Sequence, residues 1–279
     1  MKNNKNINTF KIINPFKQIF YFLVIFLLII FFKVNLKAHE LWLEPQNFKF
    51  DNEKILKIDI KIGQNFEGSA FGYYNPLKKD LYLENSSEKT ILEQRDGNFP
   101  AIQTLILDKG LHILNYETNS EKLKYETIEK FIEFLAEQNF QNFEDLIVKD
   151  KLPTESYKRF AKVLLTDGSE DFFVQKPKLD FEIIALNSPY DQKNNFFRFQ
   201  LFRKTKSFGN WQVIVFSKDE ENIFKENVKT NANGVGKLRL LDNRIYLLSA
   251  VYIEKNSYFK QINKEADWSS EWASLVFGR

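Results

Sequence analysis

Cysteine is absent from the 279 residues. Disulfides, thiol nucleophiles and thiolate metal ligands are therefore excluded. A chain of this size can bury enough surface to fold without disulfides. Histidine is nearly absent as well: there are two, His39 and His112. A dedicated tetrahedral zinc site normally uses more. A Ser-His-Asp arrangement would have to use one of these two, and no G-x-S-x-G turn marks a serine. Glycine is sparse, at ten residues, and neither a G-x-G-x-x-G fingerprint nor a P-loop occurs. Acidic residues are missing from the first 38 positions, which carry six lysines.

That last absence defines a leader. Lys2, Lys5, Lys11 and Lys17 precede an uncharged run over residues 19–32, and the small residue Ala38 follows. Basic region, short apolar region and small residue at the cut form the pattern of a signal peptide. A spanning helix needs about 20 apolar residues, and this run is shorter. The expectation is export to the periplasm with cleavage after Ala38. The alternative is an uncleaved anchor in the inner membrane through residues 19–32, which would be the chain's only membrane contact. Without the six lysines the net charge of +3 becomes −3. A basic surplus that would argue for nucleic acid is then gone.

What is present after residue 38 is mostly strand pattern. In ILKIDIKI, Ile58, Ile60 and Ile62 alternate with Lys57, Asp59 and Lys61, the period of a half-buried strand. AIQTLIL and LHILNYE flank DKG and read as a hairpin-like pair, and the glycine-containing GQNFEGSAFGYYNPLKK as loop or broken edge strand. The middle reads as helix. In YETIEKFIEFLAEQ the residues Tyr125, Ile128, Phe131, Ile132 and Leu135 form one stripe. In LPTESYKRFAKVLL, Pro153 suits a first turn and Tyr157, Phe160, Ala161 and Leu164 form another. From FEIIAL to WASLVF the pattern returns to short strands, with TNANGVG as a turn. The expected fold is mainly β. Two β-sandwich blocks (Ig-like or transthyretin-like) over residues 39–120 and 171–279 enclose a helical insertion over residues 121–170.

Cleavage after Ala38 would give His39 chemistry that an internal histidine lacks. Its new α-amine and its imidazole could chelate one divalent transition metal, Ni, Co or Cu. His112 is the one other imidazole available as a further ligand. Several side-chain groups compete for notice without marking a site. The carboxylates Glu40, Glu44, Glu67, Asp80 and Asp96 are as numerous as a surface requires. Phe66, Phe71, Tyr73 and Tyr74 read as packing, and Arg159 with Lys162 as a solvated helix face.

A series of motifs carries a resemblance. AHELWLEP, IGQNFEG, RDGNFPA, GLHILNYE, LKYETIEKFIEFL, ESYKRFAK, LDFEIIALNSPY, TNANGVGKL, YLLSAVYI and WSSEWASLVF occur in this order. The series resembles an exported bacterial family of largely unknown function, associated with periplasmic components of nickel and cobalt uptake systems. The resemblance covers residues 38–279. It implies a β-rich body ending in an Ig-like or transthyretin-like sandwich. It also implies a possible inner-membrane metal transporter as partner. His39 in AHELW and His112 in GLH match by position. Asn231 stands where the family usually has Asp, and a histidine-rich loop is lacking. The competing expectation is a metal-free exported binding or scaffold protein; a copper-brace redox enzyme is the remote third. The exported protein is expected to begin at His39, which intact mass and N-terminal sequencing of envelope-derived material will check. A retained leader would remove the amine ligand.

Overall fold

The computed structural model describes residues 39–50, 55–106, 108–143, 146–148, 150–169 and 171–279. The expected leader, with its apolar run over 19–32, lies outside the described residues. Among these residues no helix is long and apolar enough to cross a membrane.

The protein is mainly β, and the strands among the described residues form three sheets. Strands β1 (Glu40–Pro45), β2 (Ile55–Gln64), β3 (Glu67–Phe71) and β6 (Ile102–Leu105) make the first, four-stranded sheet. A second four-stranded sheet comprises β10 (Phe181–Ala185), β11 (Phe196–Arg203), β12 (Lys206–Ser207) and β15 (Val235–Arg239). A nine-stranded sheet completes the set. It contains β4 (Lys78–Glu84), β5 (Lys89–Ile91), β7 (Leu111–Thr118), β8 (Glu121–Lys124), β9 (Thr154–Thr166), β13 (Gln212–Lys218), β14 (Ile223–Lys229), β16 (Ile245–Lys255) and β17 (Trp268–Gly278). Helix α1 spans Ile128–Glu137 and the short α2 spans Tyr258–Lys264.

The nine-stranded sheet is the middle layer. Alternate residues of its strands enter different cores. Leu114, Ala161, Val163, Phe216, Leu247 and Val276 pack with β1, β2 and β6. Their neighbours Ile113, Phe160, Leu164, Val215, Leu248 and Leu275 pack with β10, β11 and β15. A β-sandwich arrangement therefore holds, with the wide sheet common to both sandwiches. It takes strands from all three expected segments, so the boundaries at 120 and 170 fall within one shared sheet.

This two-sided burial explains a correction. Thr154–Thr166 is not a helix but the long strand β9, parallel to β17 and antiparallel to β7. A strand buried on both faces loses its alternation and reads as a continuous apolar run. The run FAKVLL then supplies a helix-like stripe by default. A second correction concerns DKG. It does not join a hairpin, because β6 pairs with β2 while β7 pairs with β4 and β9. GQNFEGSAFG contributes the end of β2 and all of β3, paired antiparallel.

Helix α1 forms as its sequence implies. Thr127 caps it, its Oγ1 accepting from the Lys130 amide at 3.2 Å. Phe131 and Leu135 are buried, and Tyr125 just before the helix is buried with them. The buried face is turned from the expected stripe, since Phe134 is buried and Ile132 is exposed. The face packs on Val251, Ile253, Trp268 and Trp272, over the part of the middle sheet next to β1 and β2. The turn expected in TNANGVG joins β14 to β15. Asn231 Oδ1 accepts there from the amides of Asn233 (2.9 Å) and Val235 (3.0 Å), a role that an aspartate could share.

Val163 distinguishes the two descriptions of β9. It lies outside the helix-like stripe and is fully buried in the strand. Val163→Asp is expected to lower stability by more than about 4 kcal/mol, since it buries an unpaired charge. Thermal unfolding and soluble yield check this, and a near-neutral outcome would contradict two-sided burial.

Candidate functional site

His39 stands immediately ahead of β1. The strand is held against the middle sheet by Leu41, Trp42 and Leu43, all in the first core. Ser274 of β17 donates to the Leu41 carbonyl at 2.7 Å. Arg159 of β9 fixes the head of the strand: its Nε donates to the His39 carbonyl at 3.1 Å. Its guanidinium also pairs with Glu121 at 2.8 Å and lies 4.5 Å from the Tyr157 ring centre. Arg159 is thus a buried clamp and not part of a solvated helix face.

Glu40, the next residue, faces a small cavity of about 20 Å³ lined by Gln64, Tyr125, Phe134, Glu137 and Trp272. That volume holds about one water. Burial drives the Glu40 carboxyl up to about 7 from the ordinary 4.5, against the hydrogen bond from its own backbone; Glu137 adds repulsion, while Lys225 and Arg159 pull the other way. Tyr125 continues inward, its hydroxyl donating to Glu155 at 2.5 Å. Ser270 donates to the other Glu155 oxygen and accepts from Trp272 Nε1 at 2.8 Å. Burial also raises Glu155, opposing these donors. The head of β1 therefore sits over two carboxyl groups that resist ionisation.

His112 lies elsewhere. It is the second residue of β7 and faces a groove of about 400 Å³ with Asn85, Glu88, Asp108, Leu92 and Leu105. Its Nδ1 is 3.4 Å from the Gly110 carbonyl, and its Nε2 is 3.4 Å from the Asn85 amide. A neutral ring with the proton on Nδ1 satisfies both contacts, donating to Gly110 and accepting from Asn85. Phe50 packs edge-on at 5.4 Å. Burial lowers the affinity of the ring for a second proton, against the Gly110 hydrogen bond and the nearby acids.

The two histidines are not brought together, which corrects the expectation of a shared site. His39 is tied to Arg159, whereas His112 pairs with Leu165 in the β7–β9 ladder. Six residues of one strand span roughly 20 Å, and metal–nitrogen bonds are about 2 Å long. Among the described residues, no group of three or more His, Asp or Glu side chains could hold a metal ion. The aromatic quartet divides too: Phe66 and Tyr73 are buried, Phe71 and Tyr74 exposed.

Lys162, expected on the same solvated face as Arg159, points into the opposite core. It forms a fully buried ion pair with Glu182 and donates to Gln175 at 2.5 Å. Gln175 in turn donates to Glu84 (2.8 Å) and Asn115 (3.1 Å), and Lys178 pairs with Glu84 at 2.6 Å. This network ties the stretch before β10 to β4, β7 and β9. One sequence signal for it was a lysine inside FAKVLL.

Glu40 makes the site's pH dependence testable. The folded state keeps this proton to about pH 7, and the unfolded chain only to about 4.5. Within that window the folded state binds more protons, so stability falls as pH rises. Glu40→Gln is expected to match wild type near the lower limit and to exceed it above pH 7, by up to about 3 kcal/mol. Urea unfolding across the window checks this, and a pH-independent difference would refute the burial argument.

Beyond geometry, residues 36–254 match the family described as Domain of unknown function (DUF4198). No curated protein matches the chain. The chain belongs to that family of unknown function.

Proposed function

We propose that this family member is an exported accessory protein that holds a divalent transition metal (Ni, Co or Cu) at a mature N-terminal His39. The observation that carries the reading is the clamp at that residue. Arg159 holds the His39 carbonyl at 3.1 Å, and the hydrogen bond from Ser274 holds Leu41. A cut after Ala38 would thus create an α-amine beside an imidazole on an anchored backbone. Amine and imidazole nitrogens suit the tetragonal preference of Cu(II) and Ni(II). His112 takes no part, given its distance. Two protein nitrogens leave the remaining positions to water or to a receiving partner, as a carrier that gives up its metal requires. Nickel or cobalt uptake through an inner-membrane transporter is the setting suggested by the resemblance of the motif series.

A metal-free binding module is the second reading. It is favoured by one specific feature, the exposed apolar face of α2.

Calorimetric titration with Ni(II) and Cu(II) separates the two. A chain beginning at His39 is expected to bind at least about tenfold more tightly than one carrying a single extra N-terminal residue. His39→Ala should lose the site and His112→Ala should leave it unchanged. Affinity should fall at low pH, because amine and imidazole must be deprotonated to bind. Equal affinity in the exact and extended chains would remove the metal reading.

A further inference from the structure

Helix α2 buries none of its residues. It carries the two most exposed large apolar side chains among the described residues, Phe259 at 77% and Tyr258 at 72%, with Ile262 at 58%. Positions 258, 259 and 262 fall within about 100° of arc on a helix, with Lys260, Gln261 and Lys264 on the remaining arc. Three such side chains on one turn are costly to leave in water, and clusters of this kind mark contact surfaces.

The helix is displayed on a rigid neck. Lys255 of β16 and Trp268 of β17 are ladder partners, so residues 256–267 form the connection of an antiparallel pair. Two to five residues usually suffice for that purpose. The neck is closed by the Asn256 amide donating to the Asp267 carbonyl at 2.8 Å and by the Asn256 side chain donating to the Ala266 carbonyl at 3.0 Å. Gln261 Nε2 donates to the Asn256 carbonyl at 2.9 Å. The excess chain is thus tied at its base and presents α2 outward.

We propose that α2 is a membrane-contact wedge, with Tyr258, Phe259 and Ile262 entering the interface of a lipid bilayer and the lysines staying at headgroup level. Two observations favour a bilayer over a protein groove. Aromatic side chains beside lysine are the composition of membrane interfaces. Lys264, in the last turn of the helix, brings a positive charge to the level of anionic headgroups, whereas Lys260 is held by Glu254 at 2.6 Å. This contact is additional to the leader and independent of metal binding. It rests on the export reading only for its biological setting.

The test uses the chain from His39 onward, within the compact unit Lys37–Arg279, so that the apolar run cannot bind lipid itself. Vesicles of phosphatidylethanolamine with phosphatidylglycerol should sediment the wild type. The Tyr258→Ser, Phe259→Ser, Ile262→Ser triple variant should bind at least about tenfold less, with an unchanged circular dichroism spectrum. Should the triple variant fail to fold, Phe259→Ser alone carries the comparison. Wild type that ignores vesicles, or a folded variant that binds equally, would overturn the proposal. In cells, a photo-crosslinking residue replacing Phe259 should give lipid adducts. Adducts confined to another protein, or to a second copy of this chain, would overturn it in favour of that occupant. Vesicle binding reads the wedge and cell fractionation reads export, so either can fail without the other.

Discussion

The structure depends on burying one wide sheet on both faces. The middle sheet has to supply two apolar surfaces from the same strands, so successive residues of β9, β16 and β17 serve opposite cores. Phe160 and Ala161, or Leu275 and Val276, are chain neighbours in different interiors. Everything placed around this sheet follows from that constraint. β1, β2, β3 and β6 cover one face, with α1 beside them; β10, β11, β12 and β15 cover the other.

Polar groups that such strands bury have no route to solvent, and each must find partners inside. Arg159 and Lys162 illustrate the two faces. Three residues apart on β9, they point into opposite layers. Arg159 meets the His39 carbonyl and Glu121; Lys162 meets Glu182 and Gln175. A buried ion pair is weak evidence for stability, because desolvation offsets much of its attraction, whereas removing one partner is costly. Its value here is registration. The pair fixes the stretch before β10 against β9, as Arg159 fixes β1. Glu40 and Glu155 meet the same constraint differently, through carboxyl groups that burial pushes toward the neutral form.

The legible parts of the sequence were those with one wet face. β2 shows its alternation because Lys57 is exposed while Leu56, Ile58 and Ile60 are buried. α1 shows its stripe because its outer face is polar, and Thr127 marks its start. β9 misled because both its faces are apolar, which erases the period of two. The DKG turn misled because hairpin logic is local, whereas β6 and β7 choose different partners at long range. His39 was visible as a candidate because the leader pattern ends at Ala38. Its clamp was not, because Arg159 lies 120 residues away in sequence.

The sequence alone determined the β-rich class, the helix at 128–137, the turn at TNANGVG, and the absence of thiol chemistry and known nucleotide motifs. These are properties of composition and of short-range pattern, which one segment carries by itself. Tertiary structure decided which layer each face of the middle sheet meets, that His39 and His112 attach to β9 six residues apart, at Arg159 and Leu165, and that Tyr258, Phe259 and Ile262 remain outside every core. The reason is physical. Strand pairing and burial depend on residues distant in sequence, and a side chain has no inside or outside until those partners are in place.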